Sequence, residues 1–233
     1  MFNHQDVPFV PIERETIDGV RYYKVFGTEE LVRMPSITSV IGWRNRNKFK
    51  AWRKKVGEQE ANNITRKATH RGTDAHTLIE EYLNNSGTFS DVLPLSQYLF
   101  KQAKPELNKI DNILCQETAL YSTELGIAGS VDCIAEHTGE NGETELAVID
   151  FKTAAQPKKR EWIEDYFVQC AAYACMLYEM KGIMVKKFVI IMTCENGEIE
   201  VYEEYDKKKY IDMLYVYIKE YCDYHLNKLG ARL

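Results

Sequence analysis

Three residues in the middle of the chain have types and spacing that could do chemistry together: Asp132, Asp150 and Lys152. The run Val148-Ile-Asp150-Phe-Lys152 has the apolar, β-branched flank of a strand, on which side chains two apart share a face. Asp150 and Lys152 therefore project together, while Ile149 and Phe151 turn to the other face. Asp132 follows Gly129-Ser-Val, and pairing around the Gly139 to Gly142 turn would set it opposite Asp150. Two carboxylates side by side repel, and a lysine withdrawn from water is costly. A hard divalent cation resolves the conflict, because Mg2+ takes oxygens from one or two carboxylates together with water and phosphate oxygens. The lysine is then placed to orient an attacking water or to offset charge on a phosphate. An isolated Asp-x-Lys is common by chance, and the alternative is an ordinary ion pair on a surface hairpin. The second aspartate and the apolar flank favour the site.

The elements that must hold these groups follow from periodicity and punctuation. Asp18-Gly19 followed by Arg21 to Phe26 predicts a strand after a turn, in an N-terminal hairpin. Pro35-Ser-Ile-Thr38 predicts a helix start with Ser36 or Thr38 as N-cap, the helix running to Val56. Further helices are predicted over Asn62 to Asn84, where His76, Ile79, Glu80 and Leu83 share a face, and over Pro94 to Asp111. The period then falls to two, giving strands over 113–122, 128–136 and 145–153, the last two forming a hairpin. A long helix over 160–181, a strand over 187–193, a turn at Asn196-Gly197, a returning strand and a C-terminal helix complete the chain. This order predicts an α/β fold with a mixed central sheet flanked by helices. One domain is expected over residues 1–233, divided into N-terminal strands to 34, a helical region over 35–112, a sheet core over 113–206 and a C-terminal helix from 207.

The net charge of −5 carries no sign of a polyanionic partner, but the distribution of charge does. Between Leu31 and Gly57 there is no Asp or Glu, and Arg33, Arg44, Arg46, Lys48, Lys50, Arg53, Lys54 and Lys55 follow one another. Trp43, Phe49 and Trp52 are interleaved with them, a pairing of cations and aromatic faces that suits single-stranded nucleic acid. A solvated helix with a buried aromatic stripe is the plainer alternative. The six cysteines include no Cys-x-x-Cys pair, which argues against a zinc or iron–sulfur site. With no secretory leader and no apolar run of about 20 residues, a cytoplasmic protein with free thiols and no membrane contact is expected.

The central motif resembles that of the PD-(D/E)XK nuclease superfamily in its RecB-like exonuclease branch. The match extends over Asp132, Asp150-Phe-Lys152-Thr153, the helical pair Gln169 and Tyr173, the upstream Arg71-Gly72-Thr-Asp-Ala-His76, and Glu117 on a preceding strand. With Pro35-Ser-Ile-Thr-Ser-Val40 and the basic helix after it, the chain is most similar to the mitochondrial genome-maintenance exonucleases and related phage exonucleases, over about residues 36–193. One departure is Ser-Val before Asp132 where many relatives carry Tyr or Arg.

The resemblance implies a restriction-endonuclease-like fold with a helical arch, and a Mg2+- or Mn2+-dependent deoxyribonuclease. His76, Asp132, Asp150 and the Phe151 carbonyl would ligate the metal. Glu117 would bind a second metal, hold the first through water, or be a surface residue. Gln169 would point at Lys152 or the water, and Tyr173 would support the site, touch DNA or pack in the core. DNA contacts are expected from Ser36, Thr38, Arg44, Arg46, Lys48, Lys50, Trp52, Arg53, His70, Arg71, Ser130 and Thr153, with a further steering role for Lys158, Lys159 and Arg160. The expected activity is exonucleolytic cleavage of single-stranded DNA ends in replication, recombination or repair, in a bacterial or phage-infected cell and alongside its recombination or replication proteins. A structure-specific endonuclease and a non-catalytic single-strand-binding module are the alternatives.

Overall fold

A computed structural model describes residues 1–26 and 31–230, the last three of these by backbone alone. The expectation of a C-terminal helix reaching 233 lies, past residue 230, outside the described residues. The core is a five-stranded mixed sheet in the order β4 (Ile110–Ser122), β5 (Ile127–Thr138), β6 (Thr144–Ala154), β7 (Lys187–Cys194) and β8 (Ile199–Glu204). All neighbours are antiparallel except β6 and β7, which run parallel. Parallel neighbours need a long crossover, here α4 (Glu164–Lys181).

Helix α4, with α1 (Ile37–Val56) and α5 (Lys207–Gly230), covers one face of the sheet. Helices α2 (Glu58–Leu83) and α3 (Pro94–Leu107) cover the other. This is the predicted mixed α/β architecture with helices on both faces. Strand β7 is buried along its whole length, Val189 and Ile191 facing α2 and α3 and Phe188 and Ile190 facing α4. Burial on both faces explains why it reads as an unbroken apolar run. Each such side chain contributes about 1.5–3 kcal/mol.

The N-terminal hairpin is a three-stranded antiparallel sheet of β1 (Glu13–Ile17), β2 (Val20–Phe26) and β3 (Leu31–Pro35). Its Tyr23, Val25 and Met34 pack on Ala128 of β5. Ser36 is the N-cap of α1, its hydroxyl accepting from the Ser39 N–H at 3.1 Å. Helix α2 begins at Glu58, four residues before the sequence-based boundary. Only Gly57 separates it from α1, and its φ of +89° is a backbone conformation open to glycine. Helix α3 stops at Leu107, so β4 starts earlier than predicted. The expected helix over 160–181 is a 3-10 turn at Arg160–Trp162 followed by α4. Among the described residues no helix is long and apolar enough to cross a membrane.

Candidate active site

The site lies where β5 and β6 part. Their ladder ends at Cys133 paired with Ile149, and the same register carried one step further sets Asp132 across from Asp150. The Phe151 N–H donates to Asp132 Oδ2 at 2.9 Å. A side chain has taken the place of a ladder partner, and the strands open into a fork.

On the other side of β5, Gln116 pairs with Cys133 and Thr118 with Val131, so Glu117 stands across from Asp132. Glu117 has a φ of +43°, which costs a non-glycine residue on the order of 1–3 kcal/mol. The Thr118 hydroxyl bridges the kink by donating to the Gln116 carbonyl at 2.8 Å. Three carboxylates, Glu117, Asp132 and Asp150, thus stand in a row across three adjacent strands.

His76 reaches this row from α2. Its Nδ1 lies 3.4 Å from Glu117 Oε1 and 3.7 Å from Asp132 Oδ1. Burial disfavours the imidazolium, but Asp132 and Glu117 outweigh it, and the His76 pKa is pushed up to about 9. Its Nε2 lies 2.9 Å from the Phe151 carbonyl oxygen. That separation suits a hydrogen bond.

Asp150 is buried deeper, 1% exposed against 8% for Asp132. Its Oδ1 accepts from Gln169 Nε2 at 3.0 Å. Its Oδ2 forms an ion pair with the Lys152 ammonium. Burial raises the Asp150 pKa, with Lys152 opposing the shift. Burial acts to lower the Lys152 pKa, but Asp150 and Asp132 override it, so the lysine holds its proton more firmly than usual. Gln169 therefore grips Asp150, the carboxylate that holds Lys152. Behind it, the Tyr173 hydroxyl lies 3.2 Å from Gln169 Nε2, and the ring is 1% exposed, out of reach of a bound strand. A Cβ at position 129 would fall 2.8 Å from the Tyr173 ring, so Gly129 leaves the space that Tyr173 fills.

The residues fit a divalent cation. Among the described residues the one group of donor atoms within 4.8 Å of one another comprises His76, Glu117 and Asp132. Asp150, expected as a ligand, stands beside this group rather than in it.

The other sequence candidates divide by what already engages them. Ser36 is buried and serves its helix. Arg44 pairs with Glu220 and lies over the Tyr217 ring. Arg46 stacks over Trp43 at 4.0 Å and Arg53 pairs with Glu58. Arg71 pairs with Glu195 and donates to Thr153 Oγ1 at 3.1 Å, fixing Thr153 beside the fork. Lys48, Lys50, Lys54, Lys55 and His70 are exposed without an ion-pair partner among the described residues, while exposed Thr38 shares a hydrogen bond with the Ser36 hydroxyl at 2.9 Å. Trp52 stacks on Phe49 with centroids 5.4 Å apart. Ser130 is half-buried opposite Ala119.

Sequence reasoning missed Tyr166, whose ring lies 5.1 Å from both Lys152 Nζ and Lys158 Nζ. The signal was its place one helical turn before Gln169. No family model and no curated protein matches the chain. Among solved structures it is similar to a candidate exonuclease from Eubacterium rectale, at 15% identity over 71% of this chain and 68% of that one, with a TM-score of 0.44.

Proposed function

We propose that the chain is a metal-dependent exonuclease that hydrolyses phosphodiester bonds at single-stranded DNA ends. The observation that carries the reading is the row Glu117, Asp132 and Asp150 across the fork, with His76 on one side and Lys152 on the other. The motif resemblance points the same way. Mg2+ or Mn2+ would be held by His76, Glu117 and Asp132, with Asp150 and the Phe151 carbonyl beside them, and would polarise the phosphoryl oxygen and lower the pKa of water.

The protein's own groups do the rest. Lys152 stays charged and, anchored on Asp150, presents an ammonium to the attacking water or to the phosphate. Gln169, backed by Tyr173, fixes the Asp150 carboxylate in that role. Thr153, held by Arg71, offers a hydroxyl beside the phosphate path. Exposed Lys48, Lys50, Lys54 and Lys55 supply sequence-independent phosphate attraction, which weakens as salt rises. The role would lie in replication, recombination or repair in a bacterial or phage-infected cell.

Digestion of end-labelled linear strands, duplexes and circular single strands tests the reading. Mg2+ is expected to release nucleotides from linear single strands, EDTA to stop it, and circles to survive. Cleavage of circles would make the protein an endonuclease. Tight binding with no cleavage in any metal would make it a binding module.

A further inference from the structure

The segment that leaves the fork after Thr153 returns into α4 through residues 155–163 and carries Lys158, Lys159, Arg160 and Trp162. It is held firmly. Arg160 lies 4.0 Å from the Phe167 centroid and pairs with Glu204, the Lys158 carbonyl accepts from the Tyr202 hydroxyl at 2.6 Å, and Ile163 is fully buried. Trp162 nevertheless remains 65% exposed. An indole on a flexible loop could fold down; this one sits beside an anchored residue and still forgoes burial of an apolar surface worth about 25 cal/mol per Å2.

The cations around it lead to the candidate active site. Lys159 Nζ is 5.7 Å from the Trp162 centroid. Lys158 donates to the Tyr166 hydroxyl at 2.6 Å, and the other neighbour of the Tyr166 ring is Lys152. Across from the segment, Asn45 of α1 donates to Asp165 at 2.6 Å. Phe49 and Trp52 lie one and two turns further along the same side of α1, stacked on each other, with Phe49 46% exposed. Aromatic faces alternating with lysines beside a phosphodiester-cleaving centre are the elements of a single-strand path, in which rings take bases and cations take phosphates.

We propose that Trp162 is a nucleobase-stacking residue that seats the unpaired strand next to the cleavage site, with Lys159 on the adjoining phosphate. This assignment rests on the nuclease reading. It makes preference for single strands a property of the segment between β6 and α4, because a base stacked inside a duplex has no free face to offer.

Fluorescence anisotropy in EDTA, which separates binding from cleavage, tests it on two linear strands, one normal and one carrying abasic sites. Trp162→Ala is expected to weaken binding of the normal strand about tenfold. Trp162→Phe should recover most of that loss, and on the abasic strand wild type and Trp162→Ala should bind alike. Equal affinity of wild type and Trp162→Ala for the normal strand overturns the assignment, and so does an equal loss on both strands. If wild type cleaves linear strands while Trp162→Ala binds them normally, the stacking role alone fails. If wild type neither binds nor cleaves, the nuclease reading falls with it.

Discussion

At both ends of the β5–β6 pair a histidine, carboxylates and a lysine come together, yet the two ends do opposite things with them. At the fork, Glu117 and Asp132 converge on His76, and Asp150 holds the Lys152 ammonium. At the far end, His137 pairs in register with Glu145, and fully buried Lys187 forms an ion pair with Glu203 at 2.9 Å. The Tyr205 hydroxyl and the Glu140 N–H donate to the same Glu203 carboxylate. A Cβ on Gly139 would fall within 2.8 Å of Lys187 Nζ, so the turn closes directly over the pair.

The histidines report the difference. Carboxylates push the His76 pKa up to about 9 against the pull of burial, whereas burial, reinforced by Lys187, brings that of His137 down to about 4. Similar residue types thus give an open cluster of a histidine and carboxylates at one end and a closed structural pair, where a lysine meets its carboxylate, at the other. Convergence and access, not composition, separate the two ends.

Exchanging damage between the two ends sharpens this contrast. Lys152→Ala should lower cleavage by about a thousandfold with a cooperative unfolding transition retained, as read by single-turnover kinetics and urea titration. Lys187→Met should do the reverse. It leaves Glu203 without its cation and costs about 3 kcal/mol of stability, while kcat per folded molecule stays at the wild-type value. Matching losses of activity in the two variants would break the comparison.

A smaller effect of opposite sign is expected at Glu117. Glu117→Gly relieves a positive φ and removes one of three facing carboxylates, so the protein should gain about 1 kcal/mol in thermal unfolding while losing activity. A stability loss would mean that the kink is not strained.

The parts of this account that were legible in sequence are those governed by short-range periodicity. Alternation on β6 placed Asp150 with Lys152, the Gly-rich turn after β5 placed Asp132 opposite, and helical spacing placed Gln169 over Tyr173. What escaped depends on distant partners or on backbone geometry. Arg44 looked available for phosphate, but its carboxylate partner, Glu220, lies 176 residues away on α5. Glu117 was named through the motif resemblance, but the positive φ that it adopts at the donor cluster is announced by no residue pattern. The aromatic stripe of α1 divides, Trp43 packing on Tyr221 of α5 and Phe49 stacking on Trp52 nearer solvent, and only the tertiary structure shows which is which. Trp162 stood in a segment that read as the start of a helix and is a 3-10 turn instead.

The most direct test of the central claim is anomalous diffraction from crystals of the protein grown with Mn2+. The account predicts a peak within coordination distance, about 2.2 Å, of oxygens from Asp132 and at least one of Glu117 and Asp150, with a His76 nitrogen completing the set. Saturating Mn2+ with no peak at the fork, or ordered Mn2+ bound only elsewhere, would contradict it.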